Sequence, residues 1–443
     1  MRDDSSAINT TGNAITPLDG RNYLKIKELS EYFSEFALTK YRIYVEIKYL
    51  EFFSKARMFS FKSKNIKFDE KEFLKVKEIE KKINHDVKAV EYYLKEKFSS
   101  PFIHLGLTSE DTNNLAYGLM LKEFKEKVLL EDLLQLINKL ELMAREWKSI
   151  PMLARTHGQP AVTTTVGKEI VNYVYRLRKQ LKRLREFKFE GKCNGAVGNL
   201  NVLKTAMPSK NWLKLSGDFV TSLGLIPNSY TTQILFYDNY LEFFQIVLLV
   251  NGVLYDLCIN IWQYIMLEVF NQKKKEREVG SSTMPQKVNP IYFENAEGNL
   301  GLANSMFEFF ERKLIHSRLQ RDLSDSTIRR NFGESLGYTI LGWRNIRSGL
   351  DRLSVNKNHL TEELNNHWEV LTEAVQVVLR LKGDHRGYEK MKDLVRGKTM
   401  SKEEYFELLR SLGLENDKKL KDLTPEKYIG YAEELTKRLN LKT

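Results

Sequence analysis

Residues 241–270 read LEFFQIVLLVNGVLYDLCINIWQYIMLEVF, and this long apolar stretch decides the fold of the chain. Its length would allow a membrane span, but Glu242, Asp256 and Glu268 interrupt it, and acidic groups near a helix centre are costly in hydrocarbon. A helix that is apolar nearly all round must be covered on several sides. The stretch therefore predicts a buried helix in a multi-helix core or at a subunit interface, and not a membrane helix.

The same helical spacing of apolar residues continues on both sides of this stretch, whereas strand-like alternation is scarce. No proline lies between Pro17 and Pro101 or between Pro290 and Pro425, so long uninterrupted helices are possible. We therefore predict an all-α fold. The further predicted helices span about Leu29–Arg57, Glu110–Trp147, Thr163–Phe189, Asn211–Leu223 and Ile291–Ile315.

Composition narrows the class of protein. The chain has 443 residues, of which 42% are hydrophobic, so it can bury a large core over two or three domains. Its two cysteines, Cys193 and Cys258, exclude a disulfide framework and a Cys-rich zinc site, and they fit a reducing cytosol. The first residues, MRDDSSAINTTGNA, lack the apolar core of a secretory signal and are typical of a mobile tail.

The net charge of +12 raises the possibility of nucleic-acid binding. Residues 175–188 read YRLRKQLKRLREFK, where basic side chains alternate with Leu and aromatic residues at helical spacing. This pattern favours an amphipathic helix with a charged outer face, because no recognised nucleic-acid-binding module accompanies it. A positive potential would also attract a small polyanionic substrate.

Residues 280–290, GSSTMPQKVNP, form the most informative motif. Pro285 and Pro290 fix φ and lack amide donors, so the segment is predicted to be a loop between helices. Ser281 could act as a nucleophile or, after losing its hydroxyl proton, as a base. Lys287 and Asn289 suit a carboxylate or a developing enolate-like charge. An ordinary polar surface loop would contain the same residue types.

Two motifs in the first quarter of the chain also carry chemistry. NHDVKAVE places His85 and Asp86 before an amphipathic helix. HLGLTSEDTNN places His104 just before Thr108 and Ser109, which are followed by acidic residues as at a helix start. Helix capping is one role for the two hydroxyls. Anion binding is compatible with it, because free amides at a helix N-terminus also bind anions.

The remaining motifs lie at other breaks in the helical pattern. ARTHGQPA puts His157 in a turn, where an imidazole could serve as a general acid or as a structural hydrogen-bonding group. QRDLSDSTIRRN interleaves arginines with hydroxyls, as suits a phosphate, although a solvated helix start reads similarly. Glu294 follows the 280–290 loop and could orient an imidazole from another segment.

The motifs in this order resemble the adenylosuccinate lyase family of the fumarase/aspartase superfamily. The resemblance runs from TPLDGR at residues 16–21 to TPEKYIG at residues 424–430. It implies β-elimination of fumarate from adenylosuccinate and from the succinyl-carboxamide imidazole ribonucleotide of purine synthesis. It also implies a cytoplasmic homotetramer with a twenty-helix core and active sites shared between subunits. The expected domains are residues 1–112 with a mobile tail at 1–15, residues 113–364 with the 280–290 loop, and residues 365–443.

The resemblance also assigns roles to particular residues. Ser281 would be the general base, His157 the general acid with Glu294 as its partner, and Lys287 would stabilise the aci-carboxylate; His85 joins this catalytic set. No metal or organic cofactor is implied. The implied substrate-binding positions are Arg21, Asn22, Asn84, His85, Asp86, His104, Thr108, Ser109, Gln233, Ser282, Lys287, Val288, Asn289, Asn295, Arg321, Ser326, Thr327, Ile328, Arg329 and Arg330.

Two positions depart from the family pattern. Gln286 stands where many members have His, and MPQK is found in argininosuccinate lyases. Asn22 stands where a Tyr usually follows the equivalent of Arg21, so the resemblance does not extend to base stacking there. The alternatives are therefore another fumarate-releasing lyase of the superfamily, such as argininosuccinate lyase, and a non-catalytic helical scaffold or basic RNA-associated protein.

Overall fold

The structure, a computed structural model, describes residues 13–64, 66–274, 283–284 and 286–440. Most of the predicted mobile tail and part of the 280–290 loop lie outside these residues. The fold is all-α, as predicted. Its helices are α1 (Tyr23–Ile26), α2 (Ser30–Phe33), α3 (Glu35–Lys55), α4 (Glu70–Ile83), α5 (Asp86–Phe98), α6 (Ser109–Phe124), α7 (Leu130–Glu146), α8 (Val166–Glu186), α9 (Asn201–Ala206), α10 (Trp212–Ser222), α11 (Asp238–Met266), α12 (Ile291–Leu314), α13 (Ser324–Arg329), α14 (Phe332–Leu350), α15 (Lys357–Asn365), α16 (Thr372–Leu381), α17 (Gly387–Val395), α18 (Lys402–Ser411), α19 (Lys418–Lys421) and α20 (Ala432–Lys437).

Short two-stranded sheets connect some of the helices, and the sequence did not predict them. They pair β1 (Pro151–Thr156) with β2 (Gln159–Thr165) antiparallel, β3 (Glu190–Gly191) with β4 (Ile226–Pro227) parallel, and β5 (Phe270–Gln272) with β6 (Leu353–Val355) antiparallel. The predicted long helices are present, with differences at their ends and one break. Ser34, which is extended and caps α3, divides the predicted helix Leu29–Arg57 into α2 and α3. Residues 163–165 belong to β2 and not to α8, and the helix predicted at residues 241–270 ends at Met266. A π-helical turn at Lys125–Leu129 joins α6 to α7 inside what the sequence suggested was a single helix.

The chain divides into two compact units. The first comprises Met1–Leu133, Gln180–Gly252 and Gly298–Trp343, and the second comprises Leu134–Lys179, Val253–Glu297 and Arg344–Thr443. This division does not test the predicted three-domain boundaries, which stay a prediction.

The first unit has an aromatic core. The ring of Phe244 on α11 lies 4.8 Å from that of Phe332, 5.2 Å from that of Phe307 and 5.7 Å from that of Phe310, measured between centroids. All four side chains are buried, and burying a large aromatic side chain stabilises the fold by roughly 2 kcal/mol or more. A smaller apolar cluster joins α3, α4 and α5 around Tyr93.

The second unit has a separate apolar cluster near the C-terminus, centred on Trp368, Leu371 and Tyr405. Leu153 of β1 belongs to the same cluster, so the β1–β2 hairpin is packed onto this core.

Helix α11 is the one helix among the described residues that is long and apolar enough to cross a membrane. In its most apolar window, 56% of the helix is buried inside the protein. Its inward face carries Phe243, Val247 and Leu254, all fully enclosed. This burial is typical of a core helix, as the sequence predicted.

Candidate active site

The predicted site residues fall in both units. The first unit holds Arg21, Asn22, Asn84, His85, Asp86, His104, Thr108, Ser109, Gln233, Arg321, Ser326, Thr327, Ile328, Arg329 and Arg330, and the second holds His157, Lys287, Val288, Asn289, Glu294 and Asn295. Ser281 and Ser282 lie outside the described residues.

Helix α6 begins where the sequence predicted a helix start. Thr108 precedes its first turn in an extended conformation, and its backbone N–H donates to the Asp111 carboxylate at 2.9 Å. This bond satisfies one of the amides that a helix start leaves unpaired. Ser109, the first helical residue, and Thr108 are both partly exposed. The two hydroxyls therefore lie at the electropositive end of a helix, where an anion is favoured.

Asp111 also anchors the glycine-rich segment 191–201, and this role was not predicted. Its carboxylate accepts from the backbone N–H groups of Asn194 and Gly195, each at 3.1 Å, and lies 2.9 Å from Lys192 Nζ. Lys192 also donates to the carbonyl of Gln233 at 2.8 Å. Both charged side chains are fully buried, so the predicted substrate contact Gln233 is tied to the start of α6 by an enclosed ion pair.

Glu110, the neighbour of Asp111, pairs with two arginines of the segment 321–330. Its carboxylate accepts from Arg329 Nη1 at 2.8 and 3.0 Å and from Arg321 Nη1 at 3.0 Å. Burial alone would raise the pKa of Glu110, but the two guanidinium groups lower it below its ordinary value. Arg329 is 4% exposed and Arg321 is 17% exposed, so Arg321 has the better access to a ligand.

Tyr237 extends this buried group, because its hydroxyl donates to Asp325 at 2.6 Å. Arg329 Nη1 lies 3.3 Å from the same hydroxyl. The short helix α13, which carries the predicted residues Ser326, Thr327 and Ile328, is thereby fixed to the start of α6 and to the segment that precedes α11.

Asp86 joins two arginines at the start of α5. Its Oδ2 accepts from Arg42 at 2.7 Å and from Arg330 at 3.1 Å. Burial alone would raise the pKa of Asp86, but Arg42, a backbone N–H and Arg330 lower it to about 2. His85 caps α5, because its Nδ1 accepts from the Lys88 backbone N–H at 3.1 Å, and half of its side chain is exposed. The sequence analysis missed Arg42 because this residue lies inside a predicted core helix, where no motif marks it.

His104 is held by a carboxylate that the sequence did not single out. Its Nδ1 lies 2.6 Å from Glu46 Oε1, which also accepts from the Thr112 hydroxyl at 2.8 Å. Its backbone has φ of 59°, in the left-handed region.

A cleft of about 440 Å³ lies beside Arg330 in the first unit. Its lining includes Asp19, Tyr23, Ser30 and Glu334. The N-terminal segment that carries the predicted residues Arg21 and Asn22 therefore leads to the same region as Arg330. Asn84 ends α4 with φ of 52° and directly precedes His85.

In the second unit, His157 lies at the tip of the β1–β2 hairpin. Thr156 and Gln159 are the last paired residues, and His157 and Gly158 have φ of 54° and 74°. Two central residues with positive φ define the tight turn that matches strand twist. The predicted turn is confirmed, and the imidazole is exposed. Arg155 on β1 bonds to Glu363 of α15, which ties the hairpin to the neighbouring helix.

The described part of the 280–290 loop lies just before α12. The carbonyl of Val288 accepts from Gln272 Nε2 at 3.0 Å, and the Lys287 N–H donates to Met284 O at 3.1 Å. Glu294, on the first turn of α12, accepts from Trp262 Nε1 at 3.2 Å. Within the described part of this single chain, Glu294 pairs with Trp262 and not with His157. Their predicted partnership stays a prediction.

Among residues 13–64, 66–274, 283–284 and 286–440, no group of three or more His, Cys, Asp or Glu side chains could hold a metal ion.

Known proteins share this architecture. The family model described as "Lyase" matches residues 53–303, and the model described as "Adenylosuccinate lyase C-terminal" matches residues 317–429. A solved structure, the 3-carboxy-cis,cis-muconate lactonizing enzyme from Pseudomonas putida, superposes with a TM-score of 0.76 at 18% identity and covers 93% of this chain and 96% of its own. The fold and the family match define a lyase of the fumarase/aspartase superfamily.

Sequence similarity narrows the class. The adenylosuccinate lyase of Legionella pneumophila (strain Corby) is 46% identical over 97% of this chain and 99% of its own length. The adenylosuccinate lyase of Escherichia coli (strain K12) is 43% identical over 95% of this chain and 97% of its own length. The chain belongs to the adenylosuccinate lyase family.

Proposed function

We propose that the chain eliminates fumarate from adenylosuccinate, giving AMP, and from the succinyl-carboxamide imidazole ribonucleotide, giving the carboxamide imidazole ribonucleotide, in cytoplasmic purine synthesis. The observation that carries this proposal is the 46% identity to an adenylosuccinate lyase over 97% of the chain. Both substrates are polyanions, and the net charge of +12 favours their approach.

The elimination removes a proton from the succinyl carbon and breaks the carbon–nitrogen bond. Ser281 takes the proton as the general base, and the electron pair is stabilised as an aci-carboxylate beside Lys287 and Asn289. His157 then protonates the departing nitrogen, with Glu294 as its orienting partner. The exposed position of His157 at the tip of the β1–β2 hairpin supports the role of general acid, because the imidazole is accessible to a ligand.

The first unit offers the groups that bind the anionic parts of the substrate. Thr108 and Ser109 lie at the N-terminus of α6, and Arg321 is held beside them through Glu110. The side chains of Arg330 and His85 both lie beside the Asp86 carboxylate. Guanidinium groups combined with hydroxyls and a helix N-terminus are the donors that phosphate and carboxylate prefer.

Exposed apolar residues on the long helices support a homotetramer with active sites shared between subunits. Single exposed apolar residues are ordinary, but here several recur along α7, α8, α11 and α12. They are Leu142, Tyr175, Leu249, Met266, Leu302 and Phe309, each at least 44% exposed.

Two contacts on α8 argue against a nucleic-acid surface. Arg176 pairs with Asp256 at 2.8 Å, and Arg178 pairs with Glu141 at 2.5 Å. Part of the basic run is therefore already neutralised within the chain.

The proposal is tested by adding adenylosuccinate to the purified chain and following fumarate and AMP. We expect both products in equal amounts, also after treatment with a chelator. Argininosuccinate, assayed in parallel, should release no fumarate. Turnover of argininosuccinate alone would identify the chain as an argininosuccinate lyase. If neither purine substrate nor argininosuccinate is turned over, the non-catalytic helical scaffold is the remaining alternative.

A further inference from the structure

Glu46 is a buried carboxylate that takes no direct part in the proposed elimination. It lies in the middle of α3 and is 1% exposed. Its Oε1 contacts His104 and Thr112, whereas its Oε2 finds no donor among the described residues. A carboxylate removed from water with so few donors is costly unless a positive charge lies beside it. The His104 ring is the group in the position to supply that charge.

The backbone around His104 is fixed by the same face of α3. Tyr49, one helical turn after Glu46, donates its hydroxyl to the carbonyl of Leu105 at 2.7 Å. His104 itself has φ of 59°, a conformation that a residue other than glycine keeps only when its surroundings enforce it. Helix α3 therefore holds both the ring and the main chain of the loop that leads to Thr108.

We propose that Glu46 is a positioning residue that keeps His104 as an imidazolium and aims its second N–H at an anionic group of the substrate. Nε2 makes no hydrogen bond within the described residues and is not enclosed by them. The ring is 15% exposed, so this nitrogen can be reached by a ligand. The inference rests on the proposed function, because the ligand is taken to be the anionic nucleotide substrate.

The other carboxylates that face His104 already have partners. Glu91 on α5 pairs with two lysines of its own helix, and Asp111 on α6 pairs with Lys192. Burial alone would lower the pKa of His104. The hydrogen bond and charge of Glu46, with the charges of Glu91 and Asp111, outweigh burial and raise that pKa.

The first test measures the KM for adenylosuccinate against pH in Glu46→Gln. The amide keeps the shape of the side chain but removes its charge, so His104 should lose its proton at a lower pH. A hydrogen bond from a charged donor to an anion is roughly twice as strong as one from a neutral donor, so loss of the charge should weaken substrate binding by about tenfold. We therefore expect KM at about pH 8 to rise about tenfold, with a smaller change at about pH 6 and little change in kcat.

Tyr49→Phe is the matched control, because it removes a bond from the same face of α3 to the same loop and leaves the charge in place. Its KM should follow the pH dependence of the unaltered protein. If Glu46→Gln does so as well, the proposal is wrong. Should Glu46→Gln fail to fold, His104→Gln replaces it. That variant should show high KM at all pH values, and an unaltered pH dependence would overturn the proposal.

A second test does not depend on turnover. A group whose pKa is raised by folding stabilises the fold fully below its unfolded pKa, and this stabilisation is lost as pH rises through its folded pKa. The decrease in thermal midpoint caused by Glu46→Gln should therefore be largest near pH 6 and become smaller toward pH 9. In a His104→Gln background the loss should not vary with pH. A pH-independent loss in both backgrounds refutes the role of Glu46, even if the chain proves not to act on adenylosuccinate.

Discussion

His157 combines a left-handed backbone conformation with an exposed side chain. A residue other than glycine in the left-handed region costs about 1 kcal/mol or more, and histidine is among the residue types found there more often. The cost is tolerated because the paired strands and the bond from Arg155 to Glu363 fix the turn around it. The imidazole is thereby presented to solvent at the tip of the turn.

Replacement of His157 should separate chemistry from binding. We expect His157→Gln to lower kcat for adenylosuccinate by about 10²- to 10⁴-fold, the usual contribution of a general acid, with a small change in KM. His385→Gln, which alters an exposed histidine far along the chain, should leave both constants unchanged. Equal losses in kcat and in substrate affinity would contradict the role of acid, and near-normal kcat would exclude it.

Asp86 should make stability depend on pH in the acid range. Its pKa of about 2 is lower than the ordinary value of 3.8, because Arg42 and Arg330 favour the carboxylate. A lowered pKa contributes stability that is present above the unfolded pKa and is lost as pH falls through the folded pKa. Thermal midpoints of the unaltered protein and of Asp86→Asn should therefore differ above about pH 4 and converge as pH falls toward about 2. A constant difference over this range would show that the ion pairs are not the cause.

At the scale of elements, the sequence predicted the long helices because their apolar faces repeat with the helical period. It missed the short strands, since pairs such as β3 and β4 consist of two residues each and depend on contacts between distant segments. It also missed Lys192. A lysine in a glycine-rich segment looks solvated, and only the folded chain encloses it against Asp111. The turn at His157 was predictable from Gly158 and Pro160, whereas the partners of Glu110 were not.

The buried pair of Lys192 and Asp111 should be costly to break on one side. Lys192→Met leaves a carboxylate buried without its cation, and we expect a loss of about 3–5 kcal/mol in the free energy of unfolding. Lys192→Met combined with Asp111→Asn should recover part of that loss, because the uncompensated charge is gone. Urea unfolding of the three proteins measures both effects. A double variant less stable than Lys192→Met would show that the hydrogen bonds to Asp111 outweigh its charge.

At the scale of the whole molecule, the exposed apolar residues of the long helices predict assembly. We expect light scattering to give the mass of a tetramer at working concentration. Leu302→Glu and Phe309→Glu, which put charges on exposed positions of α12, should shift the mass toward smaller species and lower activity together. Leu381→Glu, at an exposed apolar position of α16, serves as the control and should change neither. A fully active monomer would rule out shared active sites.

Subunit exchange tests the shared site directly. Ser281→Ala and His157→Gln should each form an inactive protein, because one lacks the base and the other the acid. If these residues reach one active site from different subunits, mixed tetramers contain some sites in which both groups are intact. Activity should therefore return in part when the two variants are mixed under conditions that exchange subunits. Each variant incubated alone under the same conditions is the control. Mixed tetramers, verified by differential tags, that stay as inactive as their parents would show that acid and base come from the same subunit.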